Sequence, residues 1–161
     1  MTVTVAEIRR ENWPAARLIG RRYEAAPEWN EWWQNNWFST LEKNEPLSIN
    51  GDAYLGAARV TNGKSEHWIG MLFPAGTSVP AGFEAVDLEP MDCAVCYLYG
   101  KPDSADFYTA AARQLCLEAI QTQGYKPREN DWCFERYQCP RFTTPDENGN
   151  VILDYVLSIE K

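Results

Sequence analysis

PAGTSVPAGF, residues 74–83, decides how this chain is read. Two prolines and two glycines within ten residues leave no room for a regular helix or strand, so the stretch is a connection. It sits near the middle of a 161-residue chain, and the patterns on its two sides follow one order.

Before the connection, residues 2–8 and 17–23 read as extended. Pro27 then opens PEWNEWWQNNWFSTLEKN, residues 27–44, where proline is welcome because first-turn N–H groups lack intrahelical partners. Trp29, Trp33, Trp37 and Leu41 recur every fourth residue, which predicts one helix ending before Pro46. Strands at 52–60 and 66–73 follow, joined by Thr61-Asn62-Gly63-Lys64, a hairpin turn. After the connection, 84–88 and 93–99 read as extended. A helix over 104–123 carries Phe107, Ala111, Leu115 and Ala119 on one stripe and stops at Gly124. WCFERYQC (132–139) and VILDYVLSIEK (151–161) are the last strands.

The two halves, approximately 1–78 and 79–161, are offset by roughly 80 residues, as internal repeats are. The expected fold is a single α+β domain of duplicated βαββ units with pseudo-two-fold symmetry. Its antiparallel sheet would carry helices on one face and a ligand cleft on the other, or at the seam between halves.

The composition narrows the partners. Net charge is −8, which opposes direct nucleic acid binding and anionic membranes and favours cationic partners. Seven Trp, eight Tyr and six Phe supply flat apolar surface suited to a pocket as well as to a core. With no apolar run long enough to span a bilayer and no export signal at the start, a cytoplasmic protein is expected. Cys93 and Cys96 form a CxxC, but strand spacing sets their sulfurs on opposite faces. The one histidine is His67, so neither metal nor cofactor is expected.

WCFERYQC carries the site. Trp132, Phe134, Arg136 and Gln138 share one strand face, and Cys133, Glu135, Tyr137 and Cys139 share the other. If the first face packs on helices, the second presents Glu135 and Tyr137 to the cleft. A carboxylate among aromatic rings is poorly solvated, and a lipophilic cation would compensate it. The residues equally allow Glu135 to pair with Arg59 or Arg113, or to reach solvent. Tyr54, Trp68 and Tyr97 on flanking strands, Trp33 and Trp37 on the helical stripe, and Tyr23 at one mouth complete the candidate ligand-binding set.

This order of elements resembles the GyrI-like (AraC-type effector-binding) domain. The resemblance is carried by VPAGFEAVDLEP (79–90), WCFERYQC and VILDYVLSIEK, with IGRRY (19–23) and WIGMLFP (68–74) at matching places in the first half. It covers nearly the whole chain. It implies two βαββ halves around a cleft for bulky, often cationic and aromatic small molecules, with a second-half glutamate facing the ligand's charge. FERY puts that role on Glu135. Some members are fused to DNA-binding helices as multidrug-sensing transcription regulators. This chain, with no room for such helices beside the domain, is expected to be a stand-alone member, similar to integron-cassette effector-binding proteins.

Three functions follow. The first is a binding module for drug sensing or sequestration. The second is a hydrolase of strained cyclopropane-containing genotoxins, with Glu135 and Tyr137 as catalytic residues. The third is an acidic protein docking on a topoisomerase-like partner, although the acidic residues are scattered and form no dense run.

Overall fold

In the computed structural model, which describes residues 3–161, the chain runs through β1 (Thr4–Trp13), β2 (Ala16–Tyr23), α1 (Trp29–Gln34), α2 (Trp37–Leu41) and β3 (Tyr54–Thr61). It continues through β4 (Lys64–Pro74), β5 (Glu84–Leu88), β6 (Met91–Gly100), a 3-10 turn (Ala105–Phe107), α3 (Ala110–Thr122), β7 (Cys133–Tyr137) and β8 (Val151–Ser158). The strands form one eight-stranded sheet in the order β1-β6-β8-β7-β3-β4-β2-β5. Every pairing is antiparallel. The start of the strand expected at 2–8 lies outside the described residues.

Asn62 and Gly63 both take positive φ, 53° and 76°, as the tight β3–β4 hairpin requires. β1 pairs with β6 and β5 with β2, so each of these strands reaches across the 74–83 connection. The β3–β7 pair joins the chain's two halves at the middle of the sheet.

The helix expected at 27–44 is two short helices. Asn35 donates its side-chain amide to the Glu31 carbonyl at 2.8 Å, and Asn36 turns left-handed at φ 56°. Asparagine offers the backbone a local partner in place of the helical ladder, which ends the helix there. The break lets Trp32, Phe38 and Leu41 all bury against Ile69, Met71 and Phe73 of β4.

A second departure concerns the faces. Ala112, Cys116 and Ile120 of α3 pack on Ala94, Cys96, Leu98 and Leu153, and Cys133 and Tyr137 border this cluster. Tyr54 of β3 borders the cluster under α1 and α2. Tyr54 and Tyr137 are cross-strand partners, so all three helices lie on the face that carries Glu135. The face of Trp132 and Phe134, expected against helices, instead meets Trp13, Leu18, Leu47, Trp68 and Val95, none of them helical. Cys93 and Cys96 do fall on opposite faces.

Arg136 is buried in this helix-free face. It donates to Asp154 at 2.7 Å, to both Glu11 carboxylate oxygens at 2.9 Å, and to Asn50 at 3.0 Å. Arg141 adds a second cation to Asp154, at 2.7 Å. Burial would raise the Glu11 carboxyl, but hydrogen bonds from Arg136 and Trp13 outweigh it and hold the pKa below its usual value.

Two predictions follow from this packing. A methyl on Gly20 would stand 1.9 Å from the Ile69 carbonyl oxygen, a backbone atom that cannot rotate away. Gly20→Ala should lower stability by ~1–3 kcal/mol, read as a lower urea midpoint at unchanged m-value. Arg136→Met should cost ~3–5 kcal/mol at neutral pH, because it strands buried carboxylates. The Glu11 contribution is complete above the ordinary carboxylate pKa of about 4.3 and is lost as pH falls through the lowered folded value. The gap between variant and wild type should therefore narrow in acid, which a pH series of unfolding curves would measure.

Candidate functional site

The β3–β7 pair forms the floor of a cavity of about 1280 Å³. Tyr54 lies opposite Tyr137, Gly56 opposite Glu135 and Ala58 opposite Cys133. Gly56 matters because it has no side chain. A methyl there would stand 3.3 Å from the Trp29 indole and 3.9 Å from the Glu135 Cβ, so its absence lets the indole lie beside the carboxylate. Trp29 meets the Tyr137 ring edge-on at 5.3 Å, and Phe142 meets it from another side at 4.8 Å. Tyr54 is stacked flat on Phe38 at 3.7 Å. Trp33, tilted against Tyr54 at 5.8 Å and 57% exposed, forms part of the rim. Phe107, Tyr108 and Arg113 bring the second-half helical segment to the cavity.

Glu135 accepts a hydrogen bond from the Tyr137 hydroxyl at 2.5 Å. It joins no ion pair among the described residues. Burial pushes its carboxyl above the ordinary pKa, and the Tyr137 hydrogen bond opposes that shift only in part. Burial, then the Glu135 charge, raises the Tyr137 phenol well above its own ordinary value, so it stays protonated and donates. Of the two arginines that could have neutralised Glu135, Arg59 is bound to Glu66 at 3.4 Å and lies over the Trp132 ring at 4.4 Å. Arg113 lines the cavity without ion-pairing to Glu135. Glu42, which accepts from the Tyr54 hydroxyl at 2.6 Å, and Asp52 add acid to the lining.

The structure brings Glu135, Tyr137, Tyr54 and Trp33 together around this cavity. It places the other four candidates elsewhere. Trp68 is 3% exposed on the helix-free face and donates to Glu66 at 2.6 Å, because β4 turns Ile69 and Met71 toward the helices. Tyr97 borders that same helix-free cluster, with Arg141 at 4.7 Å from its ring. Tyr23 accepts from the Trp32 indole at 3.1 Å and donates to Glu31 at 3.3 Å, away from the lining. Trp37 packs on Trp32 and under Arg21, whose guanidinium is 3.9 Å from the ring centre. Sequence reasoning overlooked Trp29, Phe107 and Tyr108 as lining residues. Trp29 and Phe107 stood on predicted helical stripes, which usually mean core, while nothing local distinguished Tyr108.

Among the described residues no group of three metal-ligating side chains gathers in one place, and the cysteines are free thiols. No helix there is long and apolar enough to cross a membrane.

No protein-family pattern and no curated protein matches this sequence. Solved structures share the fold at low identity. A Staphylococcus aureus MU50 protein assigned to bacterial transcription regulation aligns with TM-score 0.69 and 16% identity, over 96% of this chain and 99% of its own. SAV2435, solved bound to tetraphenylphosphonium, aligns with TM-score 0.68 and 16% identity, over 96% and 94%. EcmrR in its complex with DNA aligns with TM-score 0.60 and 11% identity, over 100% of this chain and 59% of its own. At these identities the likeness is one of fold alone.

The strained charge makes a stability prediction. A carboxyl whose folded pKa is raised costs stability as pH climbs from its unfolded value through the folded one, and the whole cost is present above the latter. Glu135→Gln removes that cost while keeping an acceptor for Tyr137. The ligand-free variant should melt higher than wild type at neutral pH. The difference should vanish below about pH 4, under the unfolded carboxylate pKa. A variant melting lower at every pH would make Glu135 a structural group.

Proposed function

We propose that this chain is a ligand-binding domain of the GyrI-like, AraC-type effector-binding kind, whose cavity holds a bulky lipophilic cation against Glu135. One observation carries the reading: a desolvated carboxylate that forms no ion pair among the described residues, set among Trp29, Tyr137 and Phe142 in the cavity. A delocalised organic cation suits such a site better than an ammonium, since it is weakly hydrated and surrenders less on entering. Rings around it add cation–π attraction. The tetraphenylphosphonium held by SAV2435, which shares this fold, supports the same ligand class here.

The strand order supports a duplicated origin. The run β6-β8-β7 on one side of the β3–β7 seam mirrors β2-β4-β3 on the other, with β1 and β5 as outermost strands. Two βαββ units related by a pseudo-two-fold would make the cavity at their junction. At net charge −8 the domain's own field opposes DNA, so we place ligand recognition in it, in the service of drug sensing or sequestration.

Titration with tetraphenylphosphonium, followed by quenching of tryptophan fluorescence, tests the reading. Glu135→Gln should weaken binding tenfold or more, which is at least about 1.4 kcal/mol. Wild-type affinity should rise as pH climbs through the raised Glu135 pKa and then level off, with no such rise in the variant. Equal, pH-independent binding by both proteins would sink the proposal. Turnover of a strained cyclopropane substrate, lost in both Glu135→Gln and Tyr137→Phe, would instead give the hydrogen-bonded pair a hydrolytic role.

A further inference from the structure

Arg113 is the cavity feature that a simple cation pocket does not use. It projects from the first turn of α3, on the side next to the buried Ala112 and Cys116, and lines the same cavity as Glu135. Its charge and a side-chain hydrogen bond to Cys133 both oppose the burial that pushes that thiol up, so its near partner is a neutral thiol and not an anion. Cys133 and Glu135 are two residues apart on one face of β7, so the positions they mark lie roughly 7 Å apart along the strand. The two charges remain separate. Arg113 forms no ion pair with any acid among the described residues. Nor does it appear among the influences on the Glu135 carboxyl, which are burial and the Tyr137 hydroxyl.

Two other charged groups of the lining, Arg59 and Asp131, are already committed. Arg59 is held by Glu66 at 3.4 Å. Asp131 accepts from the Ser158 hydroxyl and from the Trp132 amide, both at 2.8 Å. The cavity therefore offers a carboxylate lacking a cation and a guanidinium lacking an anion, within the span of one polycyclic molecule. A guanidinium is also the side chain best shaped to take a ligand carboxylate through two N–H groups.

We infer that the cavity selects amphoteric ligands, planar aromatic cations bearing a carboxylate, with the cation over Glu135 and the carboxylate on Arg113. This rests on the cation-pocket reading and narrows its ligand class. It also predicts an order of affinities opposite to that of a purely cationic pocket, where an added negative charge would weaken binding near Glu135, Glu42 and Asp52.

Rhodamine B and its ethyl ester test this. They share one delocalised cation, and esterification removes only the carboxylate. Binding to the full chain would be followed by dye fluorescence anisotropy at neutral pH, for wild type, Arg113→Gln, Arg113→Lys and Glu135→Gln. The wild type should bind the free acid about 3–10-fold more tightly than the ester, the net range of a single hydrogen bond. Arg113→Gln should abolish that preference, while Arg113→Lys retains part of it. A far-UV circular dichroism spectrum and urea midpoint matching wild type check that each variant is folded. Equal binding of acid and ester by wild type, or a preference that survives Arg113→Gln, overturns the inference. The cation pocket still stands in that case if Glu135→Gln weakens both dyes. If neither dye binds, or Glu135→Gln changes neither, the cation pocket falls and this inference with it.

Discussion

The buried Arg136–Asp154 pair sets the geometry on which the site depends. The two residues face each other across β7 and β8, and Glu11 reaches the same guanidinium from β1. Breaking such a pair costs far more than forming it gains, so β7 cannot slide by one residue without exposing a bare charge to the core. Because a strand alternates, placing Arg136 on the helix-free face obliges Glu135 and Tyr137 to point into the cavity. An apolar residue at 136 would also like a buried face. It would not distinguish its register from a neighbouring one as sharply.

The same sheet thus treats two carboxylates in opposite ways. Glu11 meets Arg136 and Trp13, which outweigh its burial and leave it an easily ionised, structural acid. Glu135 meets only a phenol, and burial wins. The difference is one of partners more than of depth, since both carboxyls pay desolvation first. What separates a structural acid from a candidate binding acid here is whether the fold brings its own cation.

Much of this was legible from residues 132–139, because strand parity is a local property. Parity placed Glu135 beside Tyr137, and Asn62-Gly63 marked the hairpin between β3 and β4. Parity does not say which face a helix will cover. The expectation that helices pack on Trp132 and Phe134 failed because Trp13, Trp68 and Leu47 cover that face themselves. For the same reason Trp68 and Tyr97 fell on the wrong side: each strand's pattern is clear internally, while its phase against β7 is set by cross-strand register. The four-residue spacing of tryptophans from Trp29 onward was genuine amphipathic signal. It concealed a break at Asn35–Asn36, where side-chain hydrogen bonding and a left-handed residue override the hydrophobic pattern. Phe107, Tyr108 and Arg113 reach the cavity only through the packing of α3 on β6 and β8, which no short stretch of sequence encodes.

The dimensions of the cavity bear on selectivity. At about 1280 Å³ it exceeds what one or two rings would fill, and nine Trp, Tyr and Phe side chains stand in its lining. Aromatic faces attract many flat ligands with little preference among them, so shape alone discriminates weakly. Direction has to come from groups that are costly to leave unpaired, and Glu135 is the most costly of these because it is the least solvated. A neutral aromatic molecule in the cavity would cover the carboxylate without compensating it and would deepen the desolvation already present. On the proposed reading, the same burial that favours a cation would also disfavour neutral molecules, with no steric gate needed to enforce it.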